Sequence, residues 1–223
     1  MNIFKYCLAS VFVLLRIATS KKHGAYSRFT TPNELQDAVD GYLSGHTGTV
    51  TSIEDHYGPI ETWNVGLIED FGGLFNVKRN PDARVFDADL SQWDVSNATT
   101  LHDMFLGAEL VDFDVSGWDV GGVVRFNGLF ELARSFSGYG LEDWDTSSGE
   151  YFMAMFAGAS SLHATLDPSH WNVSRAVRMK AMFRESNFGR STMHDLCSWS
   201  QQVPENVETT VMFLGSECPL TDD

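Results

Sequence analysis

The sequence predicts an α/β repeat solenoid: short parallel strands and short helices in a stack, with an N-terminal helical cap. Three observations carry that expectation. All six tryptophans (Trp63, Trp93, Trp118, Trp144, Trp171, Trp199) recur at spacings of 30, 25, 26, 27 and 28 residues. A phenylalanine stands twelve residues after each of the first five (Phe75, Phe105, Phe130, Phe156, Phe183), and Phe213 stands fourteen after the sixth, behind an insertion around Pro204. Between each Trp and its Phe, the apolar spacing changes from alternate residues to helical. A fixed period of this size marks stacked supersecondary units, none of which can bury its own aromatic face.

Residues 1–20 read as a signal peptide. Lys5 is the positive start, Cys7 to Leu15 the apolar stretch, and Ala18-Thr19-Ser20 a small-residue cleavage site before Lys21. Nine apolar residues, ended by Arg16, are too few to cross a bilayer, so the chain is not expected to be an integral membrane protein. The alternative is a short buried strand or helix.

Residues 21–58 are a linker and a cap helix at about 31–44. The stretch 21–30 is polar and expected to be loose. Thr31, Pro32 and Glu34 form a capping box, and Leu35, Ala38, Val39, Tyr42 and Leu43 share one helical face that Gly45 ends. A Gly/Thr-rich connection, 44–58, leads into six repeats over 59–216, followed by a tail at 217–223.

Counted from each Trp, position +2 is Val65, Val95, Val120, Thr146, Val173 and Gln201, which with the Trp suits a short strand. Positions +8, +11, +12 and +15 (Leu101, Met104, Phe105 and Ala108 in the second copy) lie on one face of about two helical turns. A polar turn such as Ser96-Asn97-Ala98-Thr99 separates the two. Connections vary most at 76–84 and 163–169.

The composition, 43% hydrophobic over 223 residues, supports one core. A formal charge of −15 makes nucleic acid and anionic membranes poor partners. Behind the signal two cysteines remain, Cys197 and Cys218. In a secreted chain they are expected to form a bridge; two free buried thiols are the alternative.

Catalytic and metal patterns are missing from the sequence. The Asp after Trp (Asp94, Asp119, Asp145, replaced by Asn64 and Asn172) is either a thin calcium ladder or an Asx turn, and replacement by Asn favours the turn. None of the seven histidines stands in an HxH or HExxH group, and Asp87 with Asp89 is a solvated pair rather than a hydrolytic dyad. No cofactor, metal or catalytic residue is therefore expected, and the chain reads as a non-enzyme. Asn97 and Asn172 stand in glycosylation sequons, with Asn172 the less accessible; the repeat consensus produces such sequons by itself. The residues just before each Trp (Gln92, Gly117, Asp143, His170, Ser198) differ between copies, so Gln92, Asp143 and His170 form the candidate binding row, projecting from a sheet surface.

The phrases FDADLSQWDVSNATTLHDMFLGA and FDVSGWDV resemble the roughly 26-residue repeat of the BspA-like leucine-rich-repeat surface proteins of bacteria. FTTPNELQDAVDGYL with YGPIETWNV is similar to the region preceding such repeats in secreted proteins of algae and other protists. The resemblance spans about Phe29 to Gly215 and is weakest in the copies at Trp144 and Trp199. It implies a leucine-rich-repeat-like fold, secreted or at a cell surface, and a non-catalytic recognition or adhesion role toward an extracellular protein or glycan. The alternatives are a secreted hydrolase using Asp/Glu in a groove and a purely structural surface component.

Overall fold

The computed structural model describes residues 26–162, 168–188, 199 and 201–216. The signal segment, Cys197, Ser198 and Cys218 lie outside the described residues.

The N-terminal end is a cap of two helices and one strap. Helix α1, Pro32–Leu43, starts after Thr31, whose side chain accepts from the Glu34 N–H at 3.2 Å. Leu35, Ala38 and Val39 form its buried face. The stretch expected as a connection instead contains a second helix, α2, Thr47–Tyr57. Its threonines give it weak helix propensity and it buries no residue completely, so tertiary contacts hold it. Tyr57 stacks on Phe29 at 4.1 Å and its hydroxyl donates to Glu34 Oε1 at 2.8 Å. Phe29, expected in a loose linker, is fully buried, and its N–H donates to Asn64 O at 3.0 Å in the first coil.

The array is not an α/β solenoid. Among the described residues there is no strand or sheet. The parallel pairing is reduced to single bridges, which run in series through Asp70, Thr100, Arg125, Tyr151, Arg178 and Glu208. The Trp-x-Val segment does not pair as a strand because both of its ends close local turns. The Trp93 N–H donates to Leu90 O at 3.0 Å, and the Ala98 N–H donates to Val95 O at 2.8 Å. The same two turns recur around Trp118, with Val115 and with Val120 to Val123.

The expected helix after each Trp is a run of turns with a four-residue repeat. Gly73, Asp103, Gly128, Ala154 and Ala181, all at +10, have positive φ, as do Gly107, Leu132, Gly158 and Glu185 at +14. A right-handed helix admits no such residues. The N–H groups alternate instead. Leu101, Asp103, Phe105 and Gly107 donate to Arg125, Asn127, Leu129 and Glu131 of the next coil, at 2.7 to 3.0 Å. Met104, Leu106 and Ala108 donate back within the coil to Leu101, Asp103 and Phe105. No N–H in this run is left for a helical i−4 bond, and the backbone is fully satisfied without a helix or a sheet.

The inward side chains form continuous ladders. Neighbouring rings in the series Phe75, Phe105, Phe130, Phe156, Phe183 and Phe213 stand 5.4, 5.4, 6.1, 5.6 and 5.7 Å apart and are nearly coplanar in orientation. All six tryptophans are buried. Each indole N–H donates backward to a main-chain carbonyl: Trp93 to Ile60, Trp118 to Leu90, Trp144 to Val115, Trp171 to Leu141 and Trp199 to Pro168, at 2.8 to 3.1 Å. Truncating one such ring to Ala costs about 3–5 kcal/mol.

Candidate functional site

With the aromatic ladders inside, the exposed rows are what a partner can meet. The residues at the bridges sit on one main-chain frame yet differ from coil to coil. Asp70, Arg125 and Arg178 are exposed, Tyr151 and Glu208 are half-buried, and Thr100 is buried. The Arg125 guanidinium lies over the Tyr151 ring, 5.7 Å from its centroid. Two residues beyond the bridges at Thr100, Arg125 and Arg178 come further polar groups, His102, Asn127 and Lys180. Thr100 Oγ1 and His102 Nδ1 are 3.0 Å apart; Lys180 Nζ lies 3.5 Å from Glu208 Oε1, and Arg178 Nε lies 3.9 Å from the other oxygen, Oε2. The result is a row of mixed charge around one Arg–Tyr pair, on a chain of formal charge −15.

Glu131 stands further along the same turn run. Burial pushes its carboxyl above the ordinary range, and the Asp103 charge adds to the rise, while Lys78 and Arg184 oppose it. Asn127 Oδ1, in the same coil, is buried with no hydrogen-bond partner.

The row expected from the sequence is differently built. Gln92, Gly117, Asp143 and His170 are exposed, but they stand on turns rather than on a sheet surface. Asp143 ends the 3-10 turn Leu141–Asp143 and His170 ends Pro168–His170. The Asp residues after Trp make Asx turns. Asp94, Asp119 and Asp145 accept from the N–H two residues on at 3.1, 3.1 and 2.9 Å, and Asn172 does the same with Ser174. The Ser147 N–H and hydroxyl hold the Asp145 carboxyl below the ordinary range, and Ser116 does the same for Asp114. Asp87 and Asp89 are exposed, and no group of three or more metal-ligating side chains occurs among the described residues. Both sequon residues are exposed, and Asn97 Nδ2 donates to Gly66 O at 2.6 Å.

Two features escape a count that needs both a fixed offset and a shared residue type. Phe86, Phe136 and Phe188 stack on ladder rings at 4.2, 3.6 and 4.1 Å, but their distance from the Trp changes with each connection. The bridge row stands seven residues after each of the first five tryptophans and nine after the sixth, but its mixed residue types give no sign of a shared role.

These features define a repeat protein of stacked turn-built coils with a helical N-terminal cap. The chain belongs to the family described as "Mycoplasma protein of unknown function, DUF285", whose model matches residues 47–139 and, overlapping them, 114–218. No match was found among curated proteins or among solved structures. Among the described residues, no helix is long and apolar enough to cross a membrane.

Proposed function

We propose that this is a non-catalytic recognition module of the BspA-like kind, acting secreted or at a cell surface on a protein or glycan partner. The observation that carries the reading is the bridge row with Arg125 over Tyr151. One main-chain frame presents different side chains at regular intervals, which is how a repeat array builds specificity without changing its core. A cation packed on an aromatic face supplies a flat apolar surface beside fixed donors, which suits a sugar ring or an acidic peptide segment. The exposed row of Gln92, Asp143 and His170 is a second candidate on the same coils.

A screen of the purified protein against glycans and cell-surface extracts tests the reading. Binding is expected, and Arg125→Ala with Tyr151→Ala is expected to weaken it at least tenfold with the fold intact. Unchanged binding in that pair, and loss in the Gln92, Asp143 and His170 variants, would move the face to the turns before Trp. A competing hydrolase reading is favoured by the raised carboxyl of Glu131 beside Asp103. Turnover of a glycan or peptide that disappears in Glu131→Gln would decide for it.

A further inference from the structure

The two ends of the coil array are chemically opposite. Each coil donates forward through alternate N–H groups and accepts through the carbonyls between them. In the fifth coil Met179, Ala181, Phe183 and Glu185 donate to Glu208, Thr210, Met212 and Leu214 of the sixth, at 2.8 to 3.1 Å. The sixth coil repeats the conformation, with positive φ at Val211 and Gly215. Its own forward donors are therefore Thr209, Val211, Phe213 and Gly215. Among the described residues none of these four N–H groups has an acceptor. Phe213, the last ring of the ladder, is half-buried, whereas every earlier ring of it is fully buried.

On the opposite edge, that of the first coil, the Leu74 carbonyl is occupied. The Arg79 guanidinium donates to Leu74 O at 2.6 Å, and Asp40 of α1 grips the same guanidinium at 2.7 and 2.8 Å. Asn80 Nδ2 also donates to Asp40, at 2.7 Å. Helix α1 is thereby tied, through Asp40 and Arg79, to the acceptor side at Leu74.

We infer that the edge Thr209–Gly215 is a docking edge for an uncapped coil of the same repeat type, presented by another polypeptide. The argument is continuity with the interface that joins every pair of coils here. Four N–H groups in one row need four carbonyls spaced two residues apart, and Phe213 needs a ring at ladder distance. A second copy of this chain does not supply them. Its matching edge offers donors against donors, and on its acceptor edge the Leu74 carbonyl is already taken by Arg79, itself held by Asp40 of α1. An unpaired row of main-chain donors beside apolar surface is a ready template for β-type augmentation.

The probe is a synthetic peptide with the sequence of residues 123–136, the segment that accepts the same bonds from the second coil. Amide exchange of Thr209, Val211, Phe213 and Gly215 is followed in the full chain with and without about 1 mM peptide. Fast exchange in the free chain, slowed at least tenfold by this peptide and not by a scrambled one, is the expected result. Slow exchange in the free chain would mean that its own residues already cover the edge, and no slowing with peptide would mean that the edge does not accept a coil; either overturns the inference. Phe213→Ala is expected to reduce the protection. Should that variant not fold, the comparison of native and scrambled peptide still decides. Failure here leaves the bridge-row reading untouched, because the two surfaces share no residue.

Discussion

The Trp118 indole N–H donates to the Leu90 carbonyl at 3.1 Å, and that same carbonyl accepts the Trp93 N–H at 3.0 Å. One buried oxygen thus closes a turn in its own coil and anchors the ring of the next. Both of its lone pairs are used, which is the reason a tryptophan rather than a phenylalanine stands at the start of each unit.

That pairing separates two variants. Trp118→Phe keeps most of the buried ring but leaves one lone pair of Leu90 O without a donor; a loss of about 1–3 kcal/mol is expected. Trp118→Ala also opens a cavity and should cost about 3–5 kcal/mol or leave the chain insoluble. Thermal melts of both, read against the wild type, check the order. No loss in Trp118→Phe would mean that the indole N–H contributes nothing, and equal losses in the two variants that the ring adds nothing beyond its N–H.

Ala154 and Ala181 hold φ of 55° and 56° at positions where other coils have glycine. A left-handed alanine costs about 1–2 kcal/mol, part of which a glycine returns as lost chain entropy. Ala154→Gly and Ala181→Gly should each raise the unfolding midpoint modestly. At Gly140, φ is 87° and an added Cβ would run into the Ser116 main-chain nitrogen, so Gly140→Ala should lower it. Denaturant titrations that reverse these signs would contradict the turn geometry.

Glu131 gives a pH dependence. Burial raises its folded pKa, so the folded chain holds that proton more tightly than the unfolded chain. The stabilising contribution is complete below the unfolded value of about 4.3, and it is lost as pH rises through the higher folded value. Glu131→Gln should therefore be at least as stable as wild type at pH 7, with the difference shrinking in acid. A destabilised variant at pH 7 would instead make the ionised carboxylate a needed partner of Lys78 and Arg184.

Replacing Gln92, Asp143 and His170 together by Ala removes three exposed side chains. Circular dichroism and the melting midpoint should stay within error of wild type. A collapse of the fold would contradict their exposed setting.

Cys197 and Cys218 remain a chemical expectation. Material exported through an oxidising compartment should show no reactive thiol at either position when denatured without reductant. Labelling of both would count against the bridge.

The repeat was legible because its aromatic spacing is nearly invariant: the Trp and Phe positions name the ladders before any geometry is known. The backbone was not. Offsets of 8, 11, 12 and 15 fit a helix of period 3.6 and a turn run of period 4 equally well over so short a span, and only positive φ at Asp103, Ala154 and Ala181 separates the two. Val at +2 suggested a strand because it points inward, yet its carbonyl closes a turn to Ala98 in the second coil. Phe29 and α2 were hidden for a different reason: their order comes from contact with Trp63, Tyr57 and Glu34, not from local propensity. The sequence by itself determined the Trp and Phe ladders and how many coils stack, because burial at a fixed period depends on residue type. Only the tertiary structure decided where the main-chain N–H groups donate. That choice between the own coil and the next is made by the neighbouring coil, and it created the bridge row, its Arg125–Tyr151 pair and the donor-only edge at Thr209–Gly215.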